Sequence, residues 1–488
     1  MKSLTLVNVN KGFEGGILPL GLCSISAYLK HYGEVQDIVL LDSNCQDIYR
    51  DFSPKDVVGI SAVSQTMKEA VSFARFVKAQ YPRLPVILGG VHISTCQELP
   101  DCFDLGVIGE GEETMLELMR LDALTVENIS SIPGVCYLEN GVTVTTAARD
   151  LIQPLDRIPL PDRSIADMDF YLQDRQIIPY HQGRSLTIMT SRGCPYKCIF
   201  CSTKSHWQTF RGFSAGRVVE EIALLVNEYR AEIIHIFDDL FVADKQRFHE
   251  IQKAVVARGL HTKVRFMCLA RADMLDEETM GLLKAMNVVV IGVGMESGCD
   301  KTLRYLKNSQ KASVDSNRRA IELSNRFGIP IMGSFMIGNP GETEEELLQT
   351  LKFIRSYRNS PFLAPLSYIA TAFPGTEFWD FAVARGLPVY SFDSIVMDIP
   401  DSITAFEQAP LLTDIPRERF FEISQLFAKE TRYQRVKRYL YAGYLNPLNL
   451  LKAYLAGIII NRNIVSGIVD VTRIVIGFMK VPEKRGTS

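Results

Sequence analysis

Short apolar runs separated by amphipathic helical stretches recur along this chain, and that alternation restricts its fold more than any other feature. Over residues 1–150 the runs are Leu4–Val9, Asp37–Asp42, Val57–Ala62, Pro85–Gly90 and Leu105–Gly109, with helices expected over Leu22–Tyr32 and Met67–Gln80. A strand followed by a helix before the next strand pairs in parallel, so this part predicts an α/β fold with a doubly wound parallel sheet. A second series runs through Ser185–Thr190, Ile233–Phe237, Val264–Leu269, Val288–Val293, Ile331–Ile337 and Leu366–Ala372. Helical patterns separate them at Ala215–Tyr229, Lys245–Arg258, Asp276–Met286, Val314–Phe327 and Thr343–Tyr357. Six such units suit a partial (β/α)6 barrel of the TIM type over 181–385. Pro154, Pro159 and Pro161 stiffen the stretch between the two series, so 151–180 reads as a proline-rich linker. Residues 386–488 lack strand–helix alternation and read as helical.

Both architectures place their chemistry at the carboxyl ends of the strands. In the second series that is where Cys194, Cys198 and Cys201 stand, in Thr-Ser-Arg-Gly-Cys-Pro-Tyr-Lys-Cys-Ile-Phe-Cys201. Three thiolates on one short loop can wrap a single metal centre and leave a coordination position open. An iron–sulfur cube ordinarily takes four cysteines, so three would leave one iron free for an outside ligand. A structural zinc site is the alternative, but zinc favours paired Cys-x2-Cys knuckles and a fourth ligand, and the nearest histidine, His206, lies five residues on.

Other strand ends carry further candidates. Asp238 and Asp239 can accept hydrogen bonds from a ligand or cap the next helix. Arg271 can fork onto a carboxylate or pair with Asp273 or Asp276. Glu296 ends an apolar strand, where a carboxylate needs a partner, either ligand or salt bridge. Ser334 is a polar contact within glycine-punctuated Ile331–Thr343. In the first sheet the strand ends hold Ser61, Ser64 and Gln65, then Gly89, Gly90 and His92, then Gly109 and Glu110. Small residues there let a large planar molecule approach the backbone, or simply make tight turns.

Composition sets the outer bounds. The chain has 488 residues, 47% hydrophobic and 22% charged, which is ordinary for a globular protein with a large core. A net charge of −3 carries no nucleic-acid signature. Residues 431–488 nevertheless hold ten Lys/Arg against two Asp/Glu, which points to an anionic partner. Leu448–Met479 is the most apolar segment, interrupted by Lys452, Arg462, Asp470 and Arg473. It reads as an amphipathic basic helix lying on an anionic bilayer, or else docked on the barrel, rather than as a spanning helix. The other seven cysteines show no framework spacing, and Met1-Lys-Ser-Leu-Thr-Leu-Val runs straight into a strand. The expectation is a reducing cytoplasm, with peripheral contact at the inner membrane face.

The cysteine spacing, with Phe200 in its aromatic slot, resembles the radical SAM superfamily signature Cys-x3-Cys-x-aromatic-Cys. Pro19-Leu-Gly-Leu22, Leu88-Gly-Gly-Val-His92 and Ile108-Gly-Glu-Gly-Glu112 resemble the cobalamin-binding domain that precedes the radical core in one subgroup. That subgroup includes anaerobic magnesium-protoporphyrin ester cyclases, hopanoid-modifying enzymes and radical methyltransferases. The resemblance implies a 4Fe–4S cluster on Cys194, Cys198 and Cys201, and S-adenosylmethionine (SAM) contacts from Phe200, Asp238 or Asp239, Arg271, Glu296 and Ser334. It implies cobalamin against Ser61, Ser64, Gln65, Gly89, Gly90, His92, Gly109 and Glu110, or the fold retained without the cofactor. Strand two ends Asp42-Ser-Asn-Cys-Gln-Asp47, without the Asp-x-His-x-x-Gly histidine of the mutases, so cobalt would lack that lower ligand; His92 is the other candidate, or a loop contact. The implied activity is methyl transfer to an unactivated carbon by way of a 5′-deoxyadenosyl radical, with radical cyclisation or rearrangement, or a non-catalytic cobalamin carrier, as alternatives. The implied partners are an electron donor such as flavodoxin or ferredoxin and a small-molecule substrate, lipid or tetrapyrrole.

Overall fold

The computed structural model describes residues 2–9, 17–33, 35–173, 181–389, 399 and 409–442, with backbone alone for 435–442. Two compact units emerge. The first takes Met1–Ala270, Gly281–Val289 and Thr371–Ile395, and the second Arg271–Met280, Val290–Ala370 and Val396–Ser488.

The first unit opens with a seven-stranded sheet: β1 (Leu4–Asn8), β2 (Ile38–Asp42), β3 (Val57–Ser61), β4 (Val86–Gly89), β5 (Leu105–Val107), β6 (Val135–Glu139) and β7 (Val142–Thr145). Its order is β2-β1-β3-β4-β5-β6-β7. The first five strands are parallel, as the alternation predicts. Both faces are covered because side chains alternate along each strand. Leu4 and Leu6 pack with Tyr28 and Leu29 of helix Leu20–Tyr32 and with Met115 and Leu118 of helix Gly111–Arg120. Val58, Ile60 and Leu88 pack with Phe73, Ala74 and Val77 of helix Met67–Gln80. The antiparallel pair β6–β7 is an addition to the predicted sheet. Its cue is Asn140-Gly141 between two alternating runs, and both residues have positive φ, at 51° and 79°, as a tight hairpin turn requires.

The 151–180 stretch is less of a spacer than its prolines suggest. Ile152, Leu155, Ile158 and Tyr171 are all buried. The unit continues with β8 (Ser185–Ile188), β9 (Ser191–Arg192), β10 (Arg211–Gly212), β11 (Ile233–Ile236) and β12 (Arg265–Ala270). β11 pairs in parallel with both β8 and β12, while β9 and β10 form a short antiparallel ladder. Ser214 and Asp244 cap helices Ala215–Asn227 and Lys245–Ala257, each accepting from the backbone N–H three residues on.

The second unit is built on parallel β13 (Val288–Glu296), β14 (Ile331–Ile337) and β15 (Leu363–Ile369). Helix Val314–Phe327 begins at Ser313, and helix Glu344–Ser356 begins with a Thr343/Glu346 capping box. Strand β15 starts three residues before its predicted position. Pro365 lies within it, and because β15 stands at the end of the sheet order the missing N–H is tolerated. Helix Arg417–Ala442 bears out the helical reading of the C-terminal region; the basic apolar segment Leu448–Met479 lies outside the described residues. Among the described residues no helix is long and apolar enough to cross a membrane.

Candidate functional site

A cavity of about 250 Å³ opens at the carboxyl ends of β1, β3, β4 and β5 in the first unit. Its floor is apolar, formed by Leu6, Ile60, Ile87, Val107 and Met115, with Ser61, Gly89, Gly90 and Gly109 at the strand ends. Gly90 has φ of 100°, and a Cβ there would sit 2.5 Å from the Ala62 carbonyl oxygen. Glycine is therefore obligatory, and the backbone is left bare for a flat ligand. Part of the remaining wall comes from Met189, Arg192, His206, Trp207, Phe213, Arg217 and Glu221.

Arg192, His206 and Trp207 belong to the segment that carries the cysteines. Cys194, Cys198 and Cys201 lie on the loop between β9 and helix Thr203–Trp207, each partly exposed and none in a disulfide. Burial pushes the Cys194 thiol up to about 11 and raises Cys201 as well, with the neighbouring thiols and Asp239 adding to both. Ligation would therefore displace thiol protons. Among the described residues no three His, Cys, Asp or Glu groups are arranged around one metal ion. The donor set is three sulfurs on one loop, which suits a cluster that spreads its ligands over several irons better than a four-ligand zinc.

The base of this loop is heavily bonded. Asp238 accepts from the Thr190 and Ser191 backbone N–H groups and from both of their hydroxyls. All four of its acceptor positions are filled, so it anchors the strand before the cysteines. Asp239 is exposed and accepts from Thr203 Oγ1 at 2.9 Å, which keeps it beside the cysteine loop. Arg247 donates to the carbonyls of Thr190 and Phe213, and a Cβ at Gly212 would strike its Nε at 2.4 Å.

Several predicted cobalamin contacts are placed differently. Ser64 hydrogen-bonds His92 Nδ1 at 2.9 Å, both are buried, and neither lines the cavity. Burial lowers His92 to about 4. Gln65, in the turn Ser64–Thr66, also stands off the cavity wall. Glu110 borders the cavity, but its carboxylate is consumed. It takes Arg211 Nη1 at 2.9 Å and Nη2 at 3.1 Å, Arg192 Nη1, and the Ile152 N–H at 2.8 Å. Glu112 binds both Arg192 nitrogens and the Ser24 hydroxyl at 2.7 Å. Burial alone would raise Glu112, but the Arg192 charge and hydrogen bonds hold it below the usual carboxylate range. Ser61, Gly89, Gly90 and Gly109 remain on the wall. Phe200 packs its ring 6.3 Å from that of Phe378.

In the second unit the alternatives to ligand contact hold for two residues. Arg271 forks onto Asp273 at 3.0 and 3.1 Å. Glu296 is buried at φ of 57° and pairs with Lys307 Nζ at 2.7 Å, which also donates to the Gly294 carbonyl at 3.0 Å. Apolar strand ends leave a carboxylate no other way to stay charged. Ser334 is half-buried on β14, paired in register with Gly294 of β13 and Leu366 of β15.

Sequence reasoning passed over Arg192, Arg211, Trp207, Phe213, Arg217 and Glu221. Arg217 and Glu221 pair locally at i,i+4, but the carboxylates that Arg192 and Arg211 meet lie 80 to 101 residues away, where no local spacing announces them. The one cue is Arg192 itself, directly before Gly193-Cys194.

Comparison with known proteins identifies both parts of the chain. Residues 188–354 match the Radical SAM superfamily and residues 9–119 the B12 binding domain. The chain is 32% identical over 390 residues to an uncharacterized methyltransferase of Pyrococcus horikoshii, covering 76% of this chain and 79% of that protein. It is 26% identical over 362 residues to an anaerobic magnesium-protoporphyrin IX monomethyl ester cyclase of Rubrivivax gelatinosus, covering 70% and 62%. Its fold is similar to that of the radical S-adenosylmethionine methyltransferase TsrM of Kitasatospora setae, solved with cobalamin and a 4Fe–4S cluster: TM-score 0.61 at 20% identity, over 80% of this chain and 76% of that one. It is also similar to OxsB, a cobalamin-dependent S-adenosylmethionine radical enzyme solved with aqua-cobalamin: TM-score 0.65 at 16% identity, over 98% and 80%. A B12-type sheet, a three-cysteine loop flanked by residues of the cavity wall and a curated relative at this identity lead to one conclusion: the chain belongs to the radical SAM superfamily, among the enzymes that carry a B12 binding domain ahead of the radical core.

Proposed function

We propose that this enzyme transfers a methyl group to an unactivated carbon of a small-molecule substrate, using a 4Fe–4S cluster, SAM and cobalamin. The observation that carries the reading is the shared wall: Arg192, His206 and Trp207, from the segment bearing Cys194, Cys198 and Cys201, complete the cavity at the ends of the B12-type strands. When bound together, the three cofactors supply an electron, a carbon-centred radical and a methyl group. Cys194, Cys198 and Cys201 would hold the cluster. Asp239 and Phe200 are the proposed SAM contacts of this unit, and Ser334 is a separate proposal on β14. Ser61, Gly89, Gly90 and Gly109 would carry cobalamin on bare backbone, and the apolar floor would exclude water from its buried portion. The domain division that goes with this reading is 1–150 for cobalamin, 151–180 as a connection, 181–385 as the radical core and 386–488 as a helical extension.

The test is anaerobic turnover with SAM, hydroxocobalamin and a chemical reductant. Formation of 5′-deoxyadenosine together with cobalamin-dependent methylation is expected. No 5′-deoxyadenosine from cluster-loaded protein would sink the reading and favour a carrier. The 26% identity to an ester cyclase favours a second reading, radical cyclisation. In that case 5′-deoxyadenosine forms without a methylated product. A flavodoxin- or ferredoxin-class donor fits the one-electron demand. The basic, apolar Leu448–Met479 supports a peripheral site on an anionic inner membrane face and a lipid or tetrapyrrole substrate. Co-sedimentation of the full chain with anionic vesicles tests this, and protein left in the supernatant argues against it.

A further inference from the structure

The three cysteines sit inside a loop whose neck is the β9–β10 ladder, and the two residues facing each other across that ladder are both arginines. Arg192 pairs in register with Arg211, and Ser191 with Gly212. The strands close tightly above them: Gly193 has φ of 83°, and a Cβ there would lie 2.3 Å from the Thr209 carbonyl oxygen. Arg192 is 6% exposed and Arg211 7%. Like charges directly opposite one another destabilise a strand pair, and burial makes the repulsion worse.

The charge that cancels them comes from the Gly109–Glu112 turn after β5. Glu110 spans the neck, taking Arg192 on one oxygen and Arg211 on both. Glu112 takes the rest of the Arg192 fork. Two buried cations thus meet two buried anions, 6% and 3% exposed. Glu110 occupies the cap position of helix Gly111–Arg120 yet makes no capping bond, so its carboxylate is committed to the arginines and the Ile152 N–H.

From this geometry we infer that Glu110 and Glu112 are positioning residues that hold the neck of the cysteine loop shut, so that the B12-type domain determines whether the three thiols can hold a cluster. The inference rests on the reading of Cys194, Cys198 and Cys201 as cluster ligands. Replacing Glu110 by a neutral side chain leaves Arg211 without its carboxylate opposite Arg192, so that the charge of Glu112 alone faces two buried guanidinium groups. The ladder then opens, and the thiols lose their common position although no cysteine has changed.

The experiment measures iron and sulfide per chain, and the rate of bleaching by a chelator, in anaerobically reconstituted full-length protein. Glu110→Gln is expected to hold less than half the wild-type iron and to bleach several-fold faster. Glu110→Gln combined with Arg211→Gln removes the opposed charge and is expected to recover most of the iron. A general loss of folding would not produce that rescue. Wild-type iron content and chelator resistance in the single variant overturn the inference, as does a double variant no better than the single. Should Glu110→Gln be insoluble, a soluble, cluster-loaded double variant supports the inference and an insoluble one overturns it. Wild-type protein without any iron–sulfur spectrum removes the cluster reading, and this inference with it.

Discussion

Lys307 and Glu296 show how a buried charge is kept at the end of an apolar strand. Each is under a tenth exposed, and Lys307 bridges the Glu296 carboxylate and the Gly294 carbonyl. Removing one member of such a pair costs more than the pair contributes, because the survivor is left charged and unpaired. Lys307→Met should therefore destabilise the protein by about 3–5 kcal/mol, read as a lower denaturant midpoint. An unchanged midpoint would show that Glu296 finds another partner. Glu342 presents the opposite case. Its Oε2 accepts from the Gly338 and Asn339 N–H groups and the Asn339 amide, while buried Oε1 has no partner. Burial outweighs those hydrogen bonds and pushes the carboxyl up to about 7.

At the scale of elements, the turn after β4 decides what the cavity can accept. Gly90 lets the chain pass the Ala62 carbonyl with no room for a methyl group. Gly90→Ala should force the β4 turn off that carbonyl and close the strand-end opening. Cobalamin affinity should fall by about tenfold or more, equal to about 1.4 kcal/mol, while iron content stays at the wild-type level because the loop neck is untouched. Titration by cobalamin absorbance checks this, and unchanged affinity would place the cofactor elsewhere. The β9–β10 ladder is the complementary element. Only two residue pairs long, it depends on side-chain charge and on Arg247 beneath it rather than on ladder hydrogen bonds.

For the whole molecule, buried titratable groups set the response to pH. Burial pushes His92, His206 and His235 each down to about 4 from an ordinary 6.5. Between pH 4 and 6.5 the unfolded chain binds protons that the folded chain refuses, so stability rises with pH across that window. Glu342 works the other way. Between about 4.5 and 7 the folded state keeps a proton that the unfolded state has lost, so its contribution declines as pH rises. Each such proton tilts stability by about 1.4 kcal/mol per pH unit. Three histidines outweigh one carboxyl below 6.5, and above it the histidine contribution is spent while that of Glu342 still declines. Thermal midpoints should climb from pH 4.5 to about 6.5 and then decline gently toward 7.5. Glu342→Gln should abolish the decline, and a decline that persists would assign it to another group.

By itself the sequence determined the layers and where chemistry would lie. Hydrophobic periodicity is local, so the parallel strands and the helices between them follow from Leu4–Asn8 or Ile331–Ile337 without knowledge of what they touch. The three cysteines were equally legible, because their spacing lies within one loop. Hairpin β6–β7 was readable from Asn140-Gly141. Tertiary structure alone decided the use of each polar side chain. A carboxylate is satisfied by whichever donors the fold delivers, and those come from distant segments. That is why Glu110 serves two arginines, Asp238 the strand before the cysteines, Arg271 an aspartate and Glu296 a lysine. Spacing can say that a buried charge needs a partner, but only the folded chain can bring one within reach.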